Sequence, residues 1–325
     1  MNDRALRVLE QYELEVTGTR RGRGYWYLDT SGGPGILSEY AGTENRAQFQ
    51  NRVMRAVCEG GYGNVDEILP NKEGALVSRD WEEKRYVVKK WFPGRECDPS
   101  NETEVLRAVE NLARLHRLTR VEEEDTCYVA RPPLEELRAW NAQLRKIRTF
   151  VRTRQKRSMF EQMFLESCEQ YLAQAAEAVS QLSRVNDLLE EFRTEHNGCV
   201  CHGDYSHHHV LICGYEIATT NFDCCRFDFQ VNDLYRFMRK ILEKHDWNVR
   251  FGMRMLESYG RVQPLSHTER RLLYVRMLYP ERFRKLAGTY YGGNKAWISR
   301  QYSDKLVKMN RQEKAREAFL KQLET

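Results

Sequence analysis

The chain has 325 residues and a mass of 38.5 kDa, enough for one two-lobed unit with a sizeable core and short of three ordinary domains. Its 41% hydrophobic and 30% charged residues, with a mean hydropathy of −0.72, exclude the disordered composition class and leave no uncharged stretch fit to span a bilayer. The 52 basic and 47 acidic residues leave a net charge of +5, a mild excess.

Residues Met1 to Leu14 lack the basic-then-apolar layout of an export signal, so cytoplasmic synthesis without a signal peptide is expected, and no membrane partner. Nine cysteines, an odd number, argue for reduced thiols over a disulfide framework. No structural zinc is expected, because no pair has the two-residue gap of a Cys-x-x-Cys knuckle.

In chain order, Tyr12, Leu14 and Val16 alternate with polar residues and predict a half-buried strand. A Gly- and Arg-rich turn, Gly18 to Gly24, leads to a second strand at Tyr25 to Leu28. The turn Ser31 to Pro34 then leads to a third at Gly35 to Tyr40. Thr43 is a plausible N-cap for a helix that puts Phe49, Val53, Ala56 and Val57 on one stripe and stops at Gly60-Gly61. Two more strands, Gly74 to Ser78 and Tyr86 to Trp91, flank a charged turn.

From Asp98 the periodicity becomes helical, with Val105, Val109, Leu112 and Leu115 on one face. The basic run Arg145, Lys146, Arg148, Arg152, Arg154, Lys156 and Arg157 reads first as a solvated helix face, which disfavours nucleic acid as a partner. Helices resume at Val231, and Ser266 with Glu269 forms a capping box for one that ends before Pro280. The fold class is α+β: a small, mostly-β lobe over residues 1–92 with one helix, and a larger, mostly-α lobe over 93–325, with a hinge at about 86–97.

One segment interrupts the helical rhythm. Residues 198–229 hold His202-Gly203-Asp204, the run His207 to His209, then Asn221-Phe222-Asp223-Cys224-Cys225. An acid at a turn, a short strand and a second polar turn is an arrangement that phosphoryl transfer uses: one carboxylate orients the attacking hydroxyl and the next loops hold metal. The bland alternatives are a turn acid bonding backbone N–H groups at Asp204, and cysteines packed as small hydrophobes. His202 reads as a residue that orients its own loop, His116 as a satisfied core histidine, His207 and His208 as exposed, and Asp233 as a capping or loop-tethering acid. The late aromatics Trp247, Tyr290, Tyr291 and Trp297 fit either a recognition groove or packing.

These blocks resemble the CotS-like spore-coat proteins, a branch of the aminoglycoside-phosphotransferase and protein-kinase-like superfamily. The resemblance runs through Arg20 to Gly24, Leu69 to Gly74, Tyr86 to Asp98, Asn111 to Arg117, Cys201 to Asp204, Phe222 to Cys225, Asn232 to Leu234 and Tyr279 to Phe283. It implies a two-lobed protein-kinase-like fold and a nucleotide cleft formed by Gly18, Arg20, Arg21, Gly22 and Gly24, with Lys89 in the linker. It also implies ATP and Mg2+ as cofactors, other spore-coat proteins as partners, and the spore coat as destination.

The departures from that pattern shape the functional expectation. The strand lysine that grips phosphates would fall at Ser38, the metal-binding amide at His209, and the metal-binding aspartate at Asn221. Only Asp204 is retained, with Asp223, two residues beyond Asn221, as a substitute metal ligand; Arg20, Arg21 or Arg23 are candidates to replace the cation. Since phosphoryl transfer rests on positioning and charge neutralisation, these losses predict a degenerate pseudokinase acting as a scaffold or binding module in coat assembly. The alternative is an active ATP-dependent phosphotransferase on a small-molecule or protein hydroxyl, using Asp204 and Asp223.

Overall fold

The computed structural model describes residues 3–22, 24–122, 126–292 and 300–324. Two compact units emerge: residues 1–128, 198–236 and 261–263 form one, and 129–197, 237–260 and 264–325 the other. Arg23 and Trp297 lie outside the described residues.

The first unit opens with a short helix, α1 (Asp3–Arg7), and a 3-10 turn, Val8–Gln11, where a strand was expected to begin at Tyr12. That strand, β1 (Val16–Arg21), starts four residues later, because Tyr12 is instead buried in a cluster with Ala5, Val8, Leu28, Leu37 and Val88. It is followed by β2 (Tyr25–Thr30), β3 (Gly33–Glu39), helix α2 (Glu44–Glu59), β4 (Ile68–Leu69), β5 (Ser78–Arg79) and β6 (Arg85–Lys90). Pairing is antiparallel throughout, in the order β1-β2-β3-β6-β4, with β5 on β6. Thr43 caps α2 as expected, its hydroxyl accepting from Arg46 N at 3.2 Å.

The sheet's two faces are set by the period-2 alternation of its strands. Leu28, Leu37 and Val88 pack against the N-terminal segment. The opposite face carries Tyr25 and Ser38, which pair directly, then Tyr27, Ile36 and Lys89, which lie in register across β2, β3 and β6. This second face is the roof of the cleft described below.

After β6 the chain passes through β7 (Arg95–Glu96) into α3 (Glu102–Leu118), capped by Asn101. The remaining strands come from the polar segment: β8 (Val200–Cys201), β9 (Val210–Cys213), β10 (Glu216–Thr219) and β11 (Arg226–Phe227). β9 pairs with both β10 and β7, and β11 pairs with β8. Thus residues 198–229 sit in the same unit as the N-terminal sheet.

The second unit is helical: α4 (Pro133–Thr153), α5 (Met159–Arg184), α6 (Asn186–Glu195), the second half of α7 (Val231–Leu242) and most of α8 (Val249–Val262), then α9 (His267–Leu278), α10 (Glu281–Gly292) and α11 (Gln301–Glu324). Ser158 and Ser266 each form a complete capping box. Its core joins Leu144, Phe164, Tyr171, Phe283, Tyr290 and Leu306, and Trp247 is buried too, so packing accounts for these late aromatics. The basic run is largely consumed internally. Arg148 and Arg152 meet Glu169, Arg154 meets Glu161, and Arg157 donates to the carbonyls of Val151 and Arg152.

No helix among the described residues is long and apolar enough to cross a membrane. All nine cysteines are free thiols, four of them buried.

Candidate functional site: a cleft in the first unit

The loop after β8 is held from behind by one buried acid. Asp233 accepts from the backbone N–H groups of His202 (2.6 Å) and Gly203 (3.0 Å), and His116 Nε2 lies 3.4 Å from the same carboxylate. Burial works against the Asp233 charge, but the hydrogen bond and charge of His116, helped by His202 and Arg236, more than offset it and hold the carboxyl at about 2. Asp233 is therefore the loop tether anticipated, not a helix cap, and His116 is a satisfied core histidine.

His202 is enclosed completely. Its Nε2–H donates to Thr220 O at 2.9 Å and its Nδ1 accepts from Asp204 N at 3.2 Å, which fixes a neutral tautomer. Burial drives its pKa down to about 4, with His209 adding to the effect. Gly203 turns the loop with φ of 83°, where a Cβ would lie 2.0 Å from Cys224 O, so only glycine fits. Asp204 follows, with its side chain part-exposed. Of the two histidines expected at the surface, His208 is exposed and His207 is buried.

The two positions that would carry metal ligands are bonded to each other. His209 Nδ1–H donates to Asp204 O at 2.8 Å, which leaves Nε2 as an acceptor, and the Asn221 amide donates to it at 3.0 Å. Asn221 has a left-handed backbone, φ 68° and ψ 58°, and its N–H donates to Asp66 Oδ2 at 2.9 Å.

A cation stands in the cleft although Ser38 is not one. Lys89 enters from β6, next to β3, with its Nζ 2.8 Å from Asp223 Oδ1 and 3.5 Å from Asp66 Oδ2. Burial alone would lower the Lys89 pKa, but the two carboxylates more than reverse that and keep it protonated. Asp66 is itself pushed up by burial, an effect that Lys89 opposes. The loop carrying Asp223 is pinned to α2 by Arg46, which donates to Asp223 O at 2.8 Å and to Cys225 O at 2.5 Å.

Together these groups line a cavity of about 370 Å³. Ser38, Lys89, His209, Asn221 and Asp223 all reach it, and Tyr25, Tyr27 and Trp91 furnish its aromatic wall. Tyr25 and Tyr27 pack edge-on with ring centroids 5.0 Å apart and share a hydroxyl contact of 3.0 Å, and Trp91 lies 5.6 Å from Tyr25. Glu96 pairs with His208 at 2.5 Å near the exposed end.

The Gly18 to Gly24 turn contributes less than expected. Arg20 lies on the cleft face, opposite Tyr27, and stacks on that ring at 4.4 Å, whereas Arg21 pairs with Trp26 and belongs to the other face of the sheet. Gly22 closes the turn against Tyr25, Gly18 sits at a β-bulge facing Asp29, and Gly24 supplies a positive φ of 88°. None of Gly18, Gly22, Gly24, Arg20 or Arg21 lines the cavity.

As bonded here, His209 is not a ligand for a hydrated Mg2+, and Asp223 is shared with a lysine. The His209 lone pair is spent on Asn221, and Asp223 and Asp66 each give an oxygen to Lys89. Among the described residues no three His, Cys, Asp or Glu side chains converge to hold a metal ion.

A family profile described as "Spore coat putative kinase YutH" matches residues 6–323. Spore coat protein S of Bacillus subtilis (strain 168) is 20% identical over 315 residues, covering 95% of this chain and 89% of that protein. Among solved structures, an aminoglycoside phosphotransferase from Alicyclobacillus acidocaldarius subsp. acidocaldarius DSM 446 is similar, with a TM-score of 0.85 at 17% identity, over 98% of this chain and 95% of that one. A spectinomycin phosphotransferase in complex with ADP and spectinomycin has a TM-score of 0.61 at 12% identity, over 94% of this chain and 92% of that one. The fold is therefore that of the aminoglycoside phosphotransferases and protein kinases, a sheet-rich N-terminal region followed by a largely helical one.

Proposed function

Because the chain belongs to the spore coat putative kinase YutH family, we propose that it is a coat-assembly protein whose kinase-like cleft binds a ligand without catalysing phosphoryl transfer. The observation that carries this reading is the hydrogen bond from Asn221 to His209. Where an active relative needs an amide oxygen and a carboxylate facing a divalent ion, this chain has an amide and an imidazole facing each other. The terms that neutralise developing charge on a transferred phosphoryl group are then missing, and Asp204 alone cannot supply them. Other coat proteins are the partners that the family and the similarity to spore coat protein S support.

One observation favours a second reading, an active phosphotransferase that uses Asp204 to orient a hydroxyl and Asp223 to hold metal: Lys89 places an ammonium in the cleft from a neighbouring strand. The two readings part over Mg2+. Calorimetric titration of the full chain with ATP is expected to show no gain in affinity when Mg2+ is added. The double variant His209→Asn/Asn221→Asp, which restores oxygen ligands, is expected to acquire such a gain. Mg2+-enhanced ATP binding by the unaltered chain would overturn the silent-cleft reading in favour of the enzyme.

A further inference from the structure

Lys89 joins three stretches of chain that lie far apart in sequence. It projects from β6, and its Nζ lies 2.8 Å from Asp223 Oδ1 and 3.5 Å from Asp66 Oδ2. Asp66 is anchored on both sides, because Val65 bridges to Thr219 and the Glu67 carbonyl accepts from Lys90 N at 2.9 Å. The same Asp66 oxygen accepts from Asn221 N at 2.9 Å, while Arg46 holds the carbonyl of Asp223 at 2.8 Å. Two carboxylates, each carried by a backbone tethered elsewhere, thus converge on one ammonium.

That ammonium has no deputy. Among the described residues that line the cavity, Lys89 is the only lysine or arginine. The side chains of Lys89 and Asp66 are 6% and 2% exposed, whereas that of Asp223 is 45% exposed. Without the ammonium, a buried carboxylate and its neighbour are left with no counter-charge. Oxygens from separate segments drawn round one cation, with water completing the shell on the open side, is the arrangement by which a bound calcium ion ties loops together. Here the cation belongs to the chain itself.

We propose that the Lys89 ammonium is a built-in counter-ion that takes the place of a divalent cation, pinning the Asp66 segment and the Asp223 loop to β6, and that the position it fills becomes a divalent-cation site when the ammonium is removed. This position draws on Asp66 and is separate from the His209 and Asn221 side chains, which are bonded to each other. The proposal rests on the reading that the cleft needs no metal.

The test is thermal melting of the full chain with Lys89→Met and with Lys89→Gln, in CaCl2 and in KCl of equal ionic strength, with no nucleotide present. Calcium is the probe because it accepts irregular oxygen shells. Each variant is expected to melt roughly 5 °C or more below the unaltered chain in KCl. Calcium is expected to recover at least about half of that loss in a saturable way, and to leave the unaltered chain within about 1 °C of its value in KCl. Adding Asp223→Asn to Lys89→Met is expected to abolish the recovery. A calcium response no larger in the variants than in the unaltered chain, a response that survives Asp223→Asn, or variants that stay unfolded even with calcium would each overturn the proposal. Mg2+-enhanced ATP binding by the unaltered chain would overturn the silent-cleft reading; failed calcium recovery with ATP binding still indifferent to Mg2+ would sink the counter-ion alone.

Discussion

His202 and Asp233 both tie the stability of this protein to pH on the acid side. Burial holds His202 at about 4 against an ordinary 6.5, so between those values the unfolded chain takes up a proton that the folded chain refuses. Stability contributed by the neutral imidazole is full above pH 6.5 and is lost as pH falls toward 4, by about 3 kcal/mol in total. Asp233, lowered from 3.8 to about 2, contributes stability that is full above its unfolded value and is lost as pH falls through the interval below it, about 2 kcal/mol more. Urea midpoints measured across this range are expected to fall in that order, and His202→Asn is expected to flatten the upper part of the slope. An unchanged slope in the variant would show that other groups carry it.

Some of these residues announced themselves in the sequence and others could not. His202-Gly203-Asp204, His209 and Asn221 stood out in the sequence because the resemblance singles them out along one segment, and the structure brings them together there. Asp66 did not, since a lone acid between Val65 and Glu67 gives no sign that it meets Lys89 and Asn221 from distant parts of the chain. The sequence puts Lys89 in the linker and no cation at Ser38, whereas in the structure Lys89 itself brings an ammonium into the cleft. The alternation of β6 turns Lys89 inward and leaves Lys90 at the surface, a signal readable only once the strand's register against β3 is known.

At the scale of elements, α2 and the loop at Asp223 behave as one piece. Arg46 lies in the first turn of α2, where Thr43 caps its N–H, and its guanidinium holds the carbonyls of Asp223 and Cys225. Thr43→Ala is expected to cost about 1 kcal/mol of stability. It is also expected to speed amide exchange at residues 44–47 and at 223–225 together; faster exchange confined to the helix would contradict the coupling. Elements such as α2 and the Ser266-capped α9 were legible from caps and periodicity alone. By contrast, β1 begins later than its alternating pattern suggested, because Tyr12 pays better as a core side chain beneath the sheet than as a strand residue. β4, β5, β7, β8 and β11 are two-residue strands whose existence depends on their partners and leaves no period to read.

For the whole molecule, composition and the order of sheet and helix were enough to anticipate the architecture, and the similarity to a solved aminoglycoside phosphotransferase over nearly its full length agrees with it. Charge was less telling. The basic run from Arg145 to Arg157 looks like a phosphate-binding stripe in the sequence, yet Glu161, Glu169 and backbone carbonyls take up most of it. The electrostatics that matter lie in the cleft, where acids outnumber the one lysine. The most direct measurement is release or transfer of the terminal phosphate of labelled ATP by the purified chain with Mg2+, alongside Asp204→Asn. Turnover indistinguishable between the two proteins is the expected result, and turnover that disappears only in Asp204→Asn would contradict the account.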